Sequence, residues 1–124
     1  MFDDHSPIYR QIADAITRDI LNGTLDEGEQ VMSTNQYAAF YRINPATAAK
    51  AFQHLVDAGV LYKKRGIGMF VSTGARERLR QEHRHRFVSD VLDPLVDEAN
   101  AIGMPLSEVI ALLQELAARE DAAR

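Results

Sequence analysis

Three short clusters of polar and basic residues stand out by their chemistry. Ser33, Thr34 and Asn35 come together just ahead of an aromatic-rich run. Asn44, Pro45, Ala46 and Thr47 open a second segment, with Lys50 one helical turn further on. Lys63, Lys64 and Arg65 run directly into Gly66. Hydroxyl and amide groups on short side chains can bond phosphate oxygens or base edges, and alanine or a threonine methyl can sit against the methyl group of thymine. Lysine and arginine beside a glycine, whose bare backbone permits close approach, suit a phosphate-lined surface. These clusters offer hydrogen bonding and charge neutralisation rather than bond making.

Other groups that could do chemistry lack company. Asp97–Glu98 and Glu120–Asp121 are neighbouring acids with no accompanying histidine, serine or glycine loop, as a solvated helix face would have. His83 and His85 lie two residues apart, on different faces of a helix and so badly placed to share a metal ion, while His5 and His54 are isolated. The "GIG" of residues 66–68 lies between strand-like runs instead of ahead of a helix, so it makes no phosphate cradle. The expectation is no metal, no cofactor and no catalytic residue: not an enzyme.

The elements that position the clusters follow from caps and periodicity. Ser6–Pro7 can start a first helix, with serine capping and proline in the first turn; Ile8, Ile12, Ile16 and Ile20 make one apolar stripe and Gly23 a stop. Ser33 with Gln36 three residues on is a capping box, predicting a short helix to about Tyr41. Asn44–Pro45 repeats the cap-then-proline signal. In the third helix Ala48, Ala51, Phe52 and Leu55 share one side, while Ala46, Lys50, Gln53 and Asp57 fall opposite with Thr47 and His54 flanking. Gly59 ends that helix. "VLYKK" and "MFVS" are strand-like runs joined by "RGIG", a hairpin whose glycines allow a tight turn.

Two more helices close the chain. One is expected over 76–101, with Val88, Val91, Leu92, Leu95 and Ala99 as its stripe, continued by Ile102; the other starts near Pro105 and carries Leu106, Val109, Ile110, Leu113 and Leu116. The fold class is α+β, mostly helical: a winged helix-turn-helix domain, residues 1–73, followed by a two-helix C-terminal dimerisation tail, residues 74–124. A helix of about 26 residues would be roughly 39 Å long, more than a domain of some 70 residues is wide, so part of its apolar face needs a second subunit. Val88, Val91, Leu92, Leu95, Ala99 and Leu113 are the candidate seam. The arginines of "ARERLRQEHRHR" are expected to solvate the first half of this helix or to lie near DNA.

Composition bounds the partners. The 124 residues carry a net charge of −4 with 46% hydrophobic and 26% charged residues, an ordinary soluble composition whose mild acidity argues against nucleic acid unless basic residues bunch locally. They do bunch, at "KKR" and in the arginine run. No apolar run approaches the roughly 20 residues of a membrane span, and the absence of cysteine fits a reducing cytoplasm. Two readings stay open on this ground: a DNA-binding device, or a winged helix used only for protein–protein assembly, which would want an apolar patch on the outer face of the third helix.

Residues 7–71, and within them "PIYRQI", "GTLDEGE", "NPATAAKAFQHLVDAGVL" and "KKRGIGMFV", resemble the DNA-binding domain of GntR-family transcription regulators. The short tail resembles that of the small YtrA-type subfamily. The resemblance implies a cytoplasmic homodimer that represses transcription at an inverted-repeat operator in double-stranded DNA. It places DNA contacts at Ser33, Thr34, Asn35, Asn44, Pro45, Ala46, Thr47, Lys50, Lys64, Arg65 and Gly66. A tail of about 50 residues leaves little room for an enclosed effector pocket except at the dimer seam. The chain departs from the pattern at Val31–Asn35, where the family has Leu-Pro-Ser-x-Arg, so Asn35 replaces a DNA-contacting arginine. Ala46 and Ala49 likewise stand where arginines are common.

Overall fold

The computed structural model describes residues 6–124; His5, Asp3 and Asp4 lie outside the described residues. Two compact units divide the chain, Met1–Gln81 and Glu82–Arg124.

In the first unit α1 (Ile8–Leu21), α2 (Thr34–Tyr41) and α3 (Pro45–Asp57) pack around one core, followed by an antiparallel hairpin of β1 (Leu61–Lys64) and β2 (Gly68–Val71) and by the start of α4 (Ala75–Phe87). The expected stripes are the buried ones: Ile12, Ile16 and Ile20 from α1 meet Ala48, Ala51, Phe52 and Leu55 from α3. The alanines let α3 lie close against its neighbours, and Phe52 fills the middle, edge-on to Tyr37 at 5.5 Å between ring centres. Truncating a phenylalanine buried as fully as Phe52 costs about 3–5 kcal/mol.

Caps explain the helix starts. Ser33 Oγ accepts from the Gln36 N–H at 3.1 Å while Gln36 Oε1 accepts from the Ser33 N–H at 3.1 Å, the full capping box. Asn44 Oδ1 accepts from the Ala46 N–H at 2.8 Å, with Pro45 in the first turn. The start of α1 differs from the expectation. Pro7, extended at φ −55° and ψ 141°, is itself the cap residue, no side chain caps the helix, and the Ser6 carbonyl accepts from Gln11 Nε2 at 2.8 Å. Between α2 and α3, Arg42 takes the left-handed conformation at φ 55°, which makes the sharp turn of the helix-turn-helix without a glycine.

The hairpin register pairs Leu61 with Val71, Tyr62 with Phe70 and Lys64 with Gly68, leaving Arg65, Gly66 and Ile67 as the loop. A segment the sequence left unassigned flanks it: the Val31 N–H donates to Met69 O at 2.9 Å and the Val71 N–H to Glu29 O at 3.0 Å. Gln30 Nε2 donates to Ile67 O at 3.0 Å. A side chain at position 68 would collide with that amide, since a Cβ there would lie 2.6 Å from Gln30 Nε2. The Gln30 amide could move aside, but Gly68 also has φ +143°, a conformation that strains any side-chain-bearing residue.

The second unit corrects the helix expected over 76–101. α4 ends at Phe87, a π-helical turn covers Val88–Leu92, and α5 runs Asp93–Ala101, followed by α6 (Leu106–Ala123). Pro94 is the cause. It has no N–H for the Asp90 carbonyl, and its ring would strike that carbonyl in a regular helix. The wider turn accommodates the ring, and the Asp93 N–H donates to Val88 O, five residues back.

Candidate nucleic-acid interface

The candidate residues occupy the starts of two helices and the tip of the hairpin. Asn35, Asn44, Pro45, Ala46, Lys50, Lys64, Arg65 and Gly66 are exposed, as is Ser33; Thr34 and Thr47 are half-buried. Ser33 and Asn44 already spend one oxygen each on their caps, which leaves the serine O–H and the asparagine amide N–H groups as donors toward a partner. Their caps fix the opening turns of α2 and α3, so the short residues beside them are presented on rigid backbone.

The outward face of α3 carries Ala46, Ala49, Lys50, Gln53, His54 and Asp57, all exposed, and none is a large apolar residue. Gln53 Nε2 donates to Asp57 Oδ1 at 2.8 Å, tying up the acid at the last residue of the helix, about three turns from its start. The larger exposed apolar groups of this unit sit elsewhere, at Ile8 in α1, Met32 and Phe40 around α2, Tyr62 on β1 and Ile67 on the hairpin tip.

The wing is stiffened by side chains as well as by its ladder. Tyr62 and Phe70 stack across the strands at 5.7 Å, and the Lys64 ammonium lies 4.8 Å from the Phe70 ring centre on the same face. Lys63, one residue earlier, stands on the opposite face. Gly66 has φ +78°, and the Ile67 N–H donates back to Lys64 O at 3.0 Å, so Lys64–Ile67 is a tight turn that needs glycine at its third position.

Sequence reasoning missed the work of the first tail arginines. Arg76 Nε donates to Ile20 O at 2.7 Å, its Nη2 to Leu25 O at 3.0 Å, and it pairs with Asp26 at 3.3 Å. Arg80 Nη2 donates to Leu21 O at 3.3 Å, and Arg78 Nη2 to Gly59 O. Beyond solvating the helix, these arginines satisfy carbonyls at and just beyond the C-terminal ends of α1 and α3, where positive charge is favoured. Glu27 completes the clasp by accepting the N–H groups of Gly74 and Arg76, and these hydrogen bonds, Gly74 first, hold its carboxyl below the usual range. The signal was available in the spacing 76, 78 and 80, but the carbonyls it serves are set by tertiary structure. Tyr9 was also missed; its ring lies against Lys50.

A sequence profile described as bacterial regulatory proteins, gntR family, matches residues 8–71, just over half of the chain. The chain belongs to the GntR family. Along its length this GntR-family chain is 27% identical over 113 residues to the HTH-type transcriptional repressor YtrA of Bacillus subtilis, covering 91% of the chain and 86% of the repressor. A GntR family transcriptional regulator from Listeria monocytogenes superposes with a TM-score of 0.73 at 25% identity, over 92% of this chain and 98% of that one. The DNA-binding domain of AraR in complex with operator ORX1 matches 58% of this chain and 93% of its own length, with a TM-score of 0.54 at 26% identity. The winged helix-turn-helix expected from the sequence is thus the fold of known regulators, and the family is one of transcription regulators, not of enzymes.

Proposed function

We propose that this GntR-family chain is a DNA-binding transcription regulator, acting as a homodimeric repressor on an inverted-repeat operator in the cytoplasm and without catalytic activity of its own. One observation carries the reading: within the matched region the positions that the resemblance assigns to DNA lie on capped helix starts and a braced wing, all exposed but the half-buried Thr34 and Thr47, while the outer face of α3 has no apolar patch that a protein partner would want. In this reading Ala46 and Thr47 meet base edges in the major groove, with Asn44 and Pro45 setting the turn. Ser33, Thr34 and Asn35 meet phosphates or an adjacent base. Lys64, Arg65 and Gly66 lie along the flanking backbone or minor groove.

The dimer rests on the second unit. Val88, Val91, Leu92 and Leu113 are 57%, 46%, 38% and 51% exposed, and Ile102 and Ile110 are more than half exposed, an apolar surface that water disfavours and a twofold partner would cover. Leu95 is half-buried. Ala99 is already buried in the single chain, so it serves the unit's own packing and not the seam. The domain boundary that fits these contacts follows Gln81, with Ala75 and Leu79 buried and belonging to the DNA-binding unit.

Gel shifts on the chain's own promoter test the reading. With Lys50, Lys63, Lys64 and Arg65 as the main cations of each subunit, a dimer neutralising roughly 6–8 phosphates gives a log–log salt slope near −5 to −7. Binding that ignores salt between about 50 and 200 mM contradicts it.

A further inference from the structure

Lys50 does not stretch straight out from α3. Its ammonium nitrogen lies 4.2 Å from the centre of the Tyr9 ring, in the first turn of α1. His54, one turn further along α3, meets the same ring edge-on, with centres 6.3 Å apart and planes at 70°. The Tyr9 hydroxyl accepts a hydrogen bond from Arg10 Nε at 3.2 Å, which fixes the ring's outer end. The phenol is drawn below its ordinary pKa, chiefly by that Arg10 bond, with the charges of Arg10 and Lys50 adding to it.

The geometry has a consequence for how a helix reads DNA. A lysine with four rotatable bonds can sweep from the groove floor to its wall, and losing that freedom costs up to about 2 kcal/mol of entropy on binding. A ring face attracts the ammonium through its quadrupole and takes at most one or two of its three N–H groups in weak N–H···π contacts, so at least one donor stays available to an anion. The ring also draws the head group sideways, toward the start of α1 and away from Ala46 and Thr47 at the start of α3.

We propose that Tyr9 is a positioning residue for DNA binding: its ring holds the Lys50 ammonium at the edge shared by α1 and α3, so that Lys50 meets a backbone phosphate on the groove wall and not a base edge. The inference rests on the DNA-binding reading above and sharpens the part of Lys50 within it. Arg10 and His54 keep the ring in place; Lys50 makes the contact.

A double-substitution cycle on the full-length chain tests this. The probes are a duplex recovered by selection from a random-sequence pool and a shuffled duplex of the same length and composition. Tyr9→Leu keeps an apolar side chain but removes the ring face, and is expected to weaken binding to both duplexes by about two- to fivefold. Tyr9→Phe, which keeps the face and its His54 contact but loses the Arg10 bond, should bind closer to the wild type than Tyr9→Leu does. Lys50→Gln should weaken both duplexes by the same factor and reduce the salt slope by about one for each subunit. In the Lys50→Gln background, Tyr9→Leu should then do nothing further. A Tyr9→Leu loss that persists without Lys50, or a Lys50→Gln loss confined to the selected duplex, overturns the proposal and leaves the regulator reading intact. A wild-type chain that binds neither duplex overturns both.

Discussion

Asn35, the second residue of α2, stands where the resemblance to the family implies an arginine, and it is exposed with no cap to make. Restoring the cation separates affinity from stability. Asn35→Arg adds one phosphate contact in each subunit, so the salt slope should steepen by about two for a dimer and affinity should rise at low salt. The same charge faces the positive end of the α2 dipole, so the melting temperature should fall slightly, by the equivalent of about 0.3–1 kcal/mol. Titrations at several salt concentrations beside thermal melts read both; an unchanged slope removes position 35 from the interface. Tyr37 gives a second residue-scale expectation. Burial, reinforced by Tyr41 and Asp19, pushes its phenol from 10.0 up to about 12. A raised folded pKa means the native state holds the proton more tightly, so the contribution to stability is full below 10 and is lost as the pH rises toward about 12. Phenolate absorbance should therefore show a late component near 12 that Tyr37→Phe abolishes. The caps of Ser33 and Asn44 and the buried alanines of α3 were legible in the sequence, because caps and stripes act over three or four residues. Tyr9 against Lys50 was not: the two are forty-one positions apart and meet only because α1 packs on α3.

At the scale of elements, the turn before Pro94 was hidden by a stripe that looked continuous. Val88, Val91, Leu92, Leu95 and Ala99 fit a regular helix at 100° per residue, and an Asp–Pro pair can pass for a helix start. The missing N–H of Pro94 decides otherwise, and the π turn changes the facing of the residues before it relative to those after it. Pro94→Ala restores the donor to the Asp90 carbonyl and removes a residue that costs about 3 kcal/mol in a helix interior. The helix should become regular and its circular dichroism deepen. The residues on either side of position 90 would then turn relative to one another, so a seam built on the π turn should weaken, and light scattering should show dissociation at a higher protein concentration than in the wild type. A variant whose dimer is unchanged would place the seam wholly on one side of the turn. The arginine clasp was illegible for a related reason: the carbonyls of Ile20, Leu21 and Gly59 are reachable from positions 76, 78 and 80 only in the folded unit.

For the whole molecule, the question is where the DNA-binding unit ends. A boundary at residue 73, natural from the end of the strand pattern, would cut away Ala75 and Leu79, both buried, and the arginines that close α1 and α3. A chain of residues 1–81 should therefore fold cooperatively, while a chain of residues 1–73 should melt lower or not fold, since it loses a buried leucine worth about 1.5–3 kcal/mol and several charge-assisted hydrogen bonds. If the exposed apolar residues beyond Gln81 form the twofold seam, the 1–81 chain is monomeric and each head binds its half-site alone. The gain from tethering two heads, about 10²–10⁴ in affinity, is then lost. Leu92→Asp in the full-length chain should reproduce that loss without touching the head, because it would bury an unpaired carboxylate between subunits. Sedimentation on the full-length chain, on Leu92→Asp and on residues 1–81, beside gel shifts on one selected operator, decides the matter. A full-length chain that stays monomeric at micromolar concentration, with an affinity equal to that of residues 1–81, would sink the dimer and the inverted-repeat operator together, while leaving the DNA-reading face of the first unit standing.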